Sequence, residues 1–184
     1  GNPLVDTVKP ELPEEEARAF FGIHPEDHVV LLMPGSRRQE IEMLLPPMLQ
    51  AAAILKREKP QTRFFLPVAA AEYEGLIRTQ VKQSGVSVVL THENRYALMG
   101  LGDVAAAASG TVVMEAALMG LPCVSLYRLA PLNYLIGRAL VHVKHFTLPN
   151  ILLDKTIQPE LLQDEVTPQR IAADDPVFLG QRQD

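Results

Sequence analysis

Val104-Ala105-Ala106-Ala107 runs directly into Ala108-Ser109-Gly110-Thr111-Val112-Val113-Met114-Glu115-Ala116-Ala117-Leu118-Met119-Gly120. The apolar run has the length of a buried strand, the turn is small and polar, and the residues beyond it carry a helical pattern that Gly120 closes. A strand–turn–helix of this kind aims backbone N–H groups and hydroxyls from the positive end of a helix, a ready anion site. Glu115 lies four residues beyond Thr111, so it projects from the same helix face one turn deeper. A phosphate cradle with a carboxylate behind it suits a nucleotide, with phosphates at the tip and sugar hydroxyls at the acid.

The flanking sequence repeats the alternation. Glu14 to Phe21 reads as a helix started by Pro13 and stopped by Gly22, its acidic triplet in the first turn. His28–Met33 is a continuous apolar run, the form of a parallel strand buried on both faces. A loop, Pro34-Gly35-Ser36-Arg37-Arg38, precedes helical periodicity from Gln39 to Lys59, where Pro46 and Pro47 predict a kink or a fresh start. Further strands are expected over 63–68, 86–90, 103–107 and 122–127, with helices over 71–84 and 93–100 between them. This order predicts βαβ units and a parallel sheet whose ligand lies outside the carboxyl ends of the strands. Both polar loops fall at that edge. Beyond Arg128 a helix is expected at 131–141, a short extended piece at 146–152 and a helical turn at Pro159–Gln163.

Composition narrows the classes. The 184 residues carry a net charge of −5, which argues against general nucleic-acid binding. Cys123 is the single cysteine, so a disulfide framework within the chain is excluded and a reducing cytosolic setting is expected. Neither a signal peptide nor a membrane-spanning apolar run is expected. The first residue is Gly1 and not Met, so a fragment is expected.

Gly35, Ser36 and Arg37 offer close backbone approach, a hydroxyl and a bidentate phosphate contact. The same loop is also an ordinary strand–helix turn with a solvated arginine pair. Ser109, Gly110 and Thr111 could equally be a plain helix cap. Two such loops at one sheet edge, one with an arginine, suit a diphosphate. Glu115 stands in an apolar helix, and a semi-buried carboxylate needs partners, which ribose hydroxyls would supply. Tyr127 and Arg128 end the last predicted strand and face the same edge. His142 and His145 form an H-x-x-H pair with no acid or cysteine cluster, so no metal site is expected.

The blocks Gly1-Asn2-Pro3-Leu4-Val5-Asp6, Leu32-Met33-Pro34-Gly35-Ser36-Arg37-Arg38-Gln39-Glu40-Ile41, Ala108-Ser109-Gly110-Thr111 with Glu115-Ala116-Ala117-Leu118, Tyr127-Arg128, Leu148-Pro149-Asn150-Ile151 and Pro159-Glu160-Leu161-Leu162-Gln163 occur in this order. Together they resemble the C-terminal, donor-binding half of the lipid-A-disaccharide synthases, family 19 of the GT-B glycosyltransferases. Asn2 stands where that family usually has His, and Met33 where Leu is common; neither change removes a proposed contact.

The resemblance implies an α/β fold, a Rossmann-like parallel sheet flanked by helices, as the C-terminal domain of a GT-B enzyme. It implies a linker over 1–13, a UDP-sugar-binding domain over 14–171 and a polar tail, cut short, over 172–184. The family transfers 2,3-diacylglucosamine from UDP to 2,3-diacylglucosamine 1-phosphate with inversion, forming the β-1,6 lipid A disaccharide and UDP, without metal or cofactor. Gly35, Ser36, Arg37, Ser109, Gly110 and Thr111 would meet the diphosphate and Glu115 the ribose. Asn150 and Gln163 fall in blocks that approach the donor. The general base and the lipid acceptor would belong to an N-terminal half outside this chain, so the chain is expected to bind UDP without transferring sugar. A cytoplasmic position is implied, with peripheral contact at the inner face of the inner membrane and a homodimer both compatible with it. Two other readings stay open: another GT-B UDP-sugar transferase or 2-epimerase, and a non-catalytic nucleotide-binding module.

Overall fold

A computed structural model of the chain describes residues 6–108 and 110–126, together with the backbone of 160–161. The amide hydrogen bonds of β1 (His28–Met33) are taken up by two parallel neighbours, β2 (Thr62–Pro67) and β4 (Val104–Ala108). Outside these lie β3 (Val88–Thr91) and β5 (Cys123–Leu126), and a two-residue strand, β6 (Glu160–Leu161), completes a parallel sheet in the order β3-β2-β1-β4-β5-β6. The fold is the expected α/β, Rossmann-like one.

Every residue of β1 is buried, so its run shows no alternation in sequence. The alternation is spatial. Val30 and Leu32 pack into one core with α2 (Arg38–Glu58) and with Ile77 of α3 (Glu74–Ser84). Val29, Leu31 and Met33 pack into a second core with α1 (Glu14–Phe21), α4 (Arg95–Leu101) and α5 (Thr111–Leu118). Successive side chains of a strand point to opposite faces, and here each face has its own helical layer. A 3₁₀ turn, Ala71–Tyr73, leads into α3, so the helix expected from residue 71 takes its α form only at Glu74.

Two expectations need correction. Pro46 and Pro47 do not produce a fresh start: α2 runs through both without a break. A proline inside a helix costs about 3 kcal/mol. The flanking Ile41, Leu44, Leu45, Met48 and Leu49 are all nearly inaccessible to solvent, and burying each contributes about 1.5–3 kcal/mol. Packing therefore outweighs the missing N–H groups. The second correction is at Pro159–Gln163. Glu160 and Leu161 form a strand that pairs with Ser125 and Leu126, not a helical turn. A segment this short cannot nucleate a stable helix by itself, whereas the edge of β5 offers it a ready ladder. The helix expected at 131–141 and the extended piece at 146–152 lie outside the described residues.

Asp103 fixes the register of the two central strands. Its N–H donates to the Val29 carbonyl at 2.8 Å, and its Oδ2 accepts the Val29 N–H at 2.7 Å. The His28 ring nitrogen lies 3.5 Å from the same oxygen. Burial opposes the charge on Asp103, but the His28 contact and the Val29 N–H more than offset it and hold the carboxyl below its ordinary range. A carboxyl with a depressed folded pKa contributes stability that is complete above its unfolded value and is lost as the pH falls through the folded one. Asp103→Asn is thus expected to flatten the decline in stability below about pH 4. Urea midpoints measured at stepped pH check this; a parent-like decline in the variant would contradict it.

Candidate functional site

The helices that follow β1 and β4 leave for opposite faces of the sheet, α2 into the first core and α5 into the second. Between two such neighbouring strands the connections part and leave a crevice at the carboxyl edge. A cleft of about 520 Å³ opens there. It is lined by Pro34, Gly35 and Ser36 after β1, by Pro67 at the end of β2 with Val68 and Ala69 beyond it, by Arg95 and Tyr96 at the start of α4, and by Thr111, Val112 and Glu115 of α5. The volume is within the range of small-ligand sites, about 300–1,000 Å³. A larger groove of about 670 Å³ runs along β2 and β3, but it borders Thr62 and residues 84–87 at the amino ends of those strands. Its Lys56 is occupied by the carbonyls of Pro60 and Thr62, and its Arg63 pairs with Asp27. The carboxyl-edge cleft is therefore the candidate site.

Both loops depend on a glycine. Gly35 has φ +108°, and a Cβ there would stand 2.9 Å from Cδ and Oε1 of Glu40, whose side chain folds back over the loop from the first turn of α2. Gly110 has φ +127° and ψ −155°, a region essentially closed to other residues, yet a Cβ there would meet nothing within 4 Å. The backbone, not crowding, demands glycine at 110. Gly110 is the N-cap of α5, and no side chain caps the helix among the described residues. The N–H of Val113 turns back to the Gly110 carbonyl at 3.1 Å, and among the described residues those of Thr111 and Val112, which line the cleft, are left open.

Arg37 is the exposed N-cap of α2 and does not line the cleft itself. Among the described residues it has no ion pair. Ser109, Tyr127, Arg128, Asn150 and Gln163 lie outside the described residues, as do His142 and His145. Those described include no group of three His, Cys, Asp or Glu side chains able to hold a metal, and no helix long and apolar enough to cross a membrane. Cys123 is buried, and burial pushes its thiol up to about 12. It is therefore no nucleophile here.

Glu115 is 5% exposed, as its place in an apolar helix predicted. The protein itself supplies partners that the sequence reading missed. Arg95 Nη2 donates to Glu115 Oε2 at 2.7 Å, and the Tyr96 hydroxyl donates to the same oxygen. Arg95 Nη2 also reaches the Tyr96 hydroxyl oxygen at 2.9 Å, and its guanidinium lies 4.8 Å from the Tyr96 ring centroid. Burial and the Glu115 hydrogen bond push the Tyr96 phenol above its ordinary value, so it remains a donor. Burial opposes the charge on Arg95, but its bonds to Tyr96 and Glu115 prevail and the group is held above its usual value. Among the described residues no hydrogen bond reaches Glu115 Oε1. The signal for Arg95 and Tyr96 was positional: they begin the helix after β3, whose carboxyl end lies at the same edge.

Comparison with known proteins decides the family. Residues 1–183 match the family model described as lipid-A-disaccharide synthetase. The chain belongs to the lipid-A-disaccharide synthase family. The family's enzyme from Geobacter metallireducens is 42% identical over 183 residues, covering 96% of this chain and 48% of the relative. That from Nitrosococcus oceani is 39% identical over 172 residues, covering 94% and 44%. The chain thus spans about half the length of these family members.

Solved structures agree on the fold. The Escherichia coli ADP-heptose heptosyltransferase II superposes with a TM-score of 0.64 at 12% identity, over 93% of this chain and 52% of its own. The C-terminal domain of a Francisella tularensis group 1 glycosyltransferase gives 0.62 at 11% identity, over 97% and 88%. An Anabaena protein solved with UDP-glucose gives 0.57 at 17%, over 97% and 46%.

The strained Gly110 gives a direct test of the loop. Gly110→Ala is expected to destabilise the chain by about 1–3 kcal/mol, although the added methyl meets open space. Chemical denaturation checks this; an unchanged midpoint would mean that the loop relaxes at no cost.

Proposed function

We propose that the chain is the UDP-sugar donor domain of a lipid-A-disaccharide synthase, with residues 14–171 forming that domain. The observation that carries the reading is the convergence of the Gly35 and Gly110 loops with the buried Glu115 around one cleft at the carboxyl edge of the sheet. UDP would lie with its diphosphate across the two loops. Ser36, Thr111 and the open N–H groups of α5 would donate to phosphate oxygens, and Arg37 would swing in from the rim as a bidentate partner. The backbone approach at Gly35 and Gly110 would bring those donors within reach. Glu115 Oε1 would accept from the ribose hydroxyls.

In the whole enzyme these groups would stabilise charge developing on the departing UDP. A base from the other half would take the proton of the acceptor's 6-hydroxyl as the diacylglucosamine is transferred with inversion. Ser109 would join the diphosphate site, and Tyr127, Arg128, Asn150 and Gln163 would complete the donor side. The acylated substrates bring the enzyme to a membrane surface, on the cytoplasmic side. The UDP-glucose bound by the Anabaena relative in fold supports a nucleotide-sugar in a site of this architecture.

Calorimetric titration with UDP tests the assignment. The chain is expected to bind UDP and to transfer no sugar alone. Arg37→Ala is expected to weaken binding by about 1.5–3 kcal/mol, the worth of a hydrogen bond to a charged group, and Glu115→Ala by a similar amount. No heat at millimolar UDP, or parent-like affinity in both variants, would overturn the site.

A further inference from the structure

Glu11 lies outside the cleft, yet it is bonded to the element that serves it. Its Oε1 accepts the N–H of Ala97 at 2.8 Å, and its Oε2 accepts the N–H of Tyr96 at 3.2 Å. These are first-turn N–H groups of α4, which have no partner inside their own helix. Asn94, the N-cap, has φ 58° and gives no side-chain bond to that turn. Glu11 therefore caps α4 from 85 positions away in the chain. Leu12 packs against the second core beside it, and Val8 is buried, so the segment before α1 is seated on the domain. From the turn that Glu11 holds, Arg95 and Tyr96 extend to Glu115 Oε2.

We infer that Glu11, Arg95 and Tyr96 are positioning residues that hold the Glu115 carboxylate with Oε1 turned to the sugar hydroxyls of a nucleotide. The inference rests on the reading of Glu115 as the ribose acceptor. Two donors on Oε2 leave the carboxylate one orientation, and Arg95 balances its charge so that the cleft can accept an anion. The acceptor lone pairs that discriminate a ribose are thereby fixed before the ligand arrives. The segment before α1 is thus joined to the nucleotide site through a single helix turn.

Titration of the 184-residue chain with UDP and with 2′,3′-dideoxy-UDP, which lacks both ribose hydroxyls, separates positioning from folding. The parent should prefer UDP. Tyr96→Phe and Glu11→Gln should each reduce that preference by about 3- to 10-fold, a coupling expected of residues in one hydrogen-bonded network. Affinity for the dideoxy compound should stay at the parent's level. Arg95→Lys should retain more of the preference than Arg95→Met. Tyr96→Phe should have no further effect once Glu115 is Gln. Variants that keep the full preference, or lose affinity for both compounds equally, would overturn the positioning role. A parent that binds both compounds alike would overturn the ribose reading of Glu115, and a parent that binds neither would overturn the donor site itself.

Discussion

Two parallel strands lie side by side at the centre of this sheet, and their crossovers depart in opposite directions. That constraint generates the site. Right-handed crossovers commit α2 to one face once β2 forms on one flank of β1, and α5 to the other once β5 forms on the far flank of β4. Among the described residues, no connection then passes over the carboxyl ends of β1 and β4. The Gly35 and Gly110 loops end there because the topology ends there. Chemistry follows topology: a concave edge with helix termini on both sides carries positive potential before any side chain is added.

The second requirement is electrostatic. A carboxylate in an apolar helix is tolerated only when its charge is compensated. Arg95 and Tyr96 meet that need at one oxygen and leave the other available. The pair is not fully sealed, since the Arg95 side chain is 45% exposed whereas that of Glu115 is 6% exposed. The cation therefore stands on the solvent side of the anion.

Much of this was legible in the sequence, and the parts that were not share a cause. β1 and β4 announced themselves as short apolar runs because strands buried on both faces contain little else. The loops announced themselves through Gly, Ser and Thr at strand ends. The burial of Glu115 could be read from its apolar neighbours. Its partners could not, because Arg95 and Tyr96 lie about twenty residues earlier and reach it only once α4 and α5 pack against the same core. The same limit explains α2, where local proline chemistry predicts an interruption and tertiary burial overrides it. It explains β6 as well, since a dipeptide becomes a strand only when an edge is waiting for it. Glu11 was the least legible: nothing in an acid between two prolines announces a cap for a distant helix.

The central strand β4 contributes four alanines in succession, Ala105–Ala108, all buried between two helical layers. Their methyl groups are the smallest side chains that still fill a core, so they act as a shim of minimum thickness. The spacing of the helices across the middle of the molecule, and hence the width of the mouth between the two glycine loops, is gauged by those methyls. Mutational drift in this strand would register as a change of aperture as much as a loss of stability. The interior of the sheet and the fit of whatever occupies its edge are, at this strand, one and the same dimension.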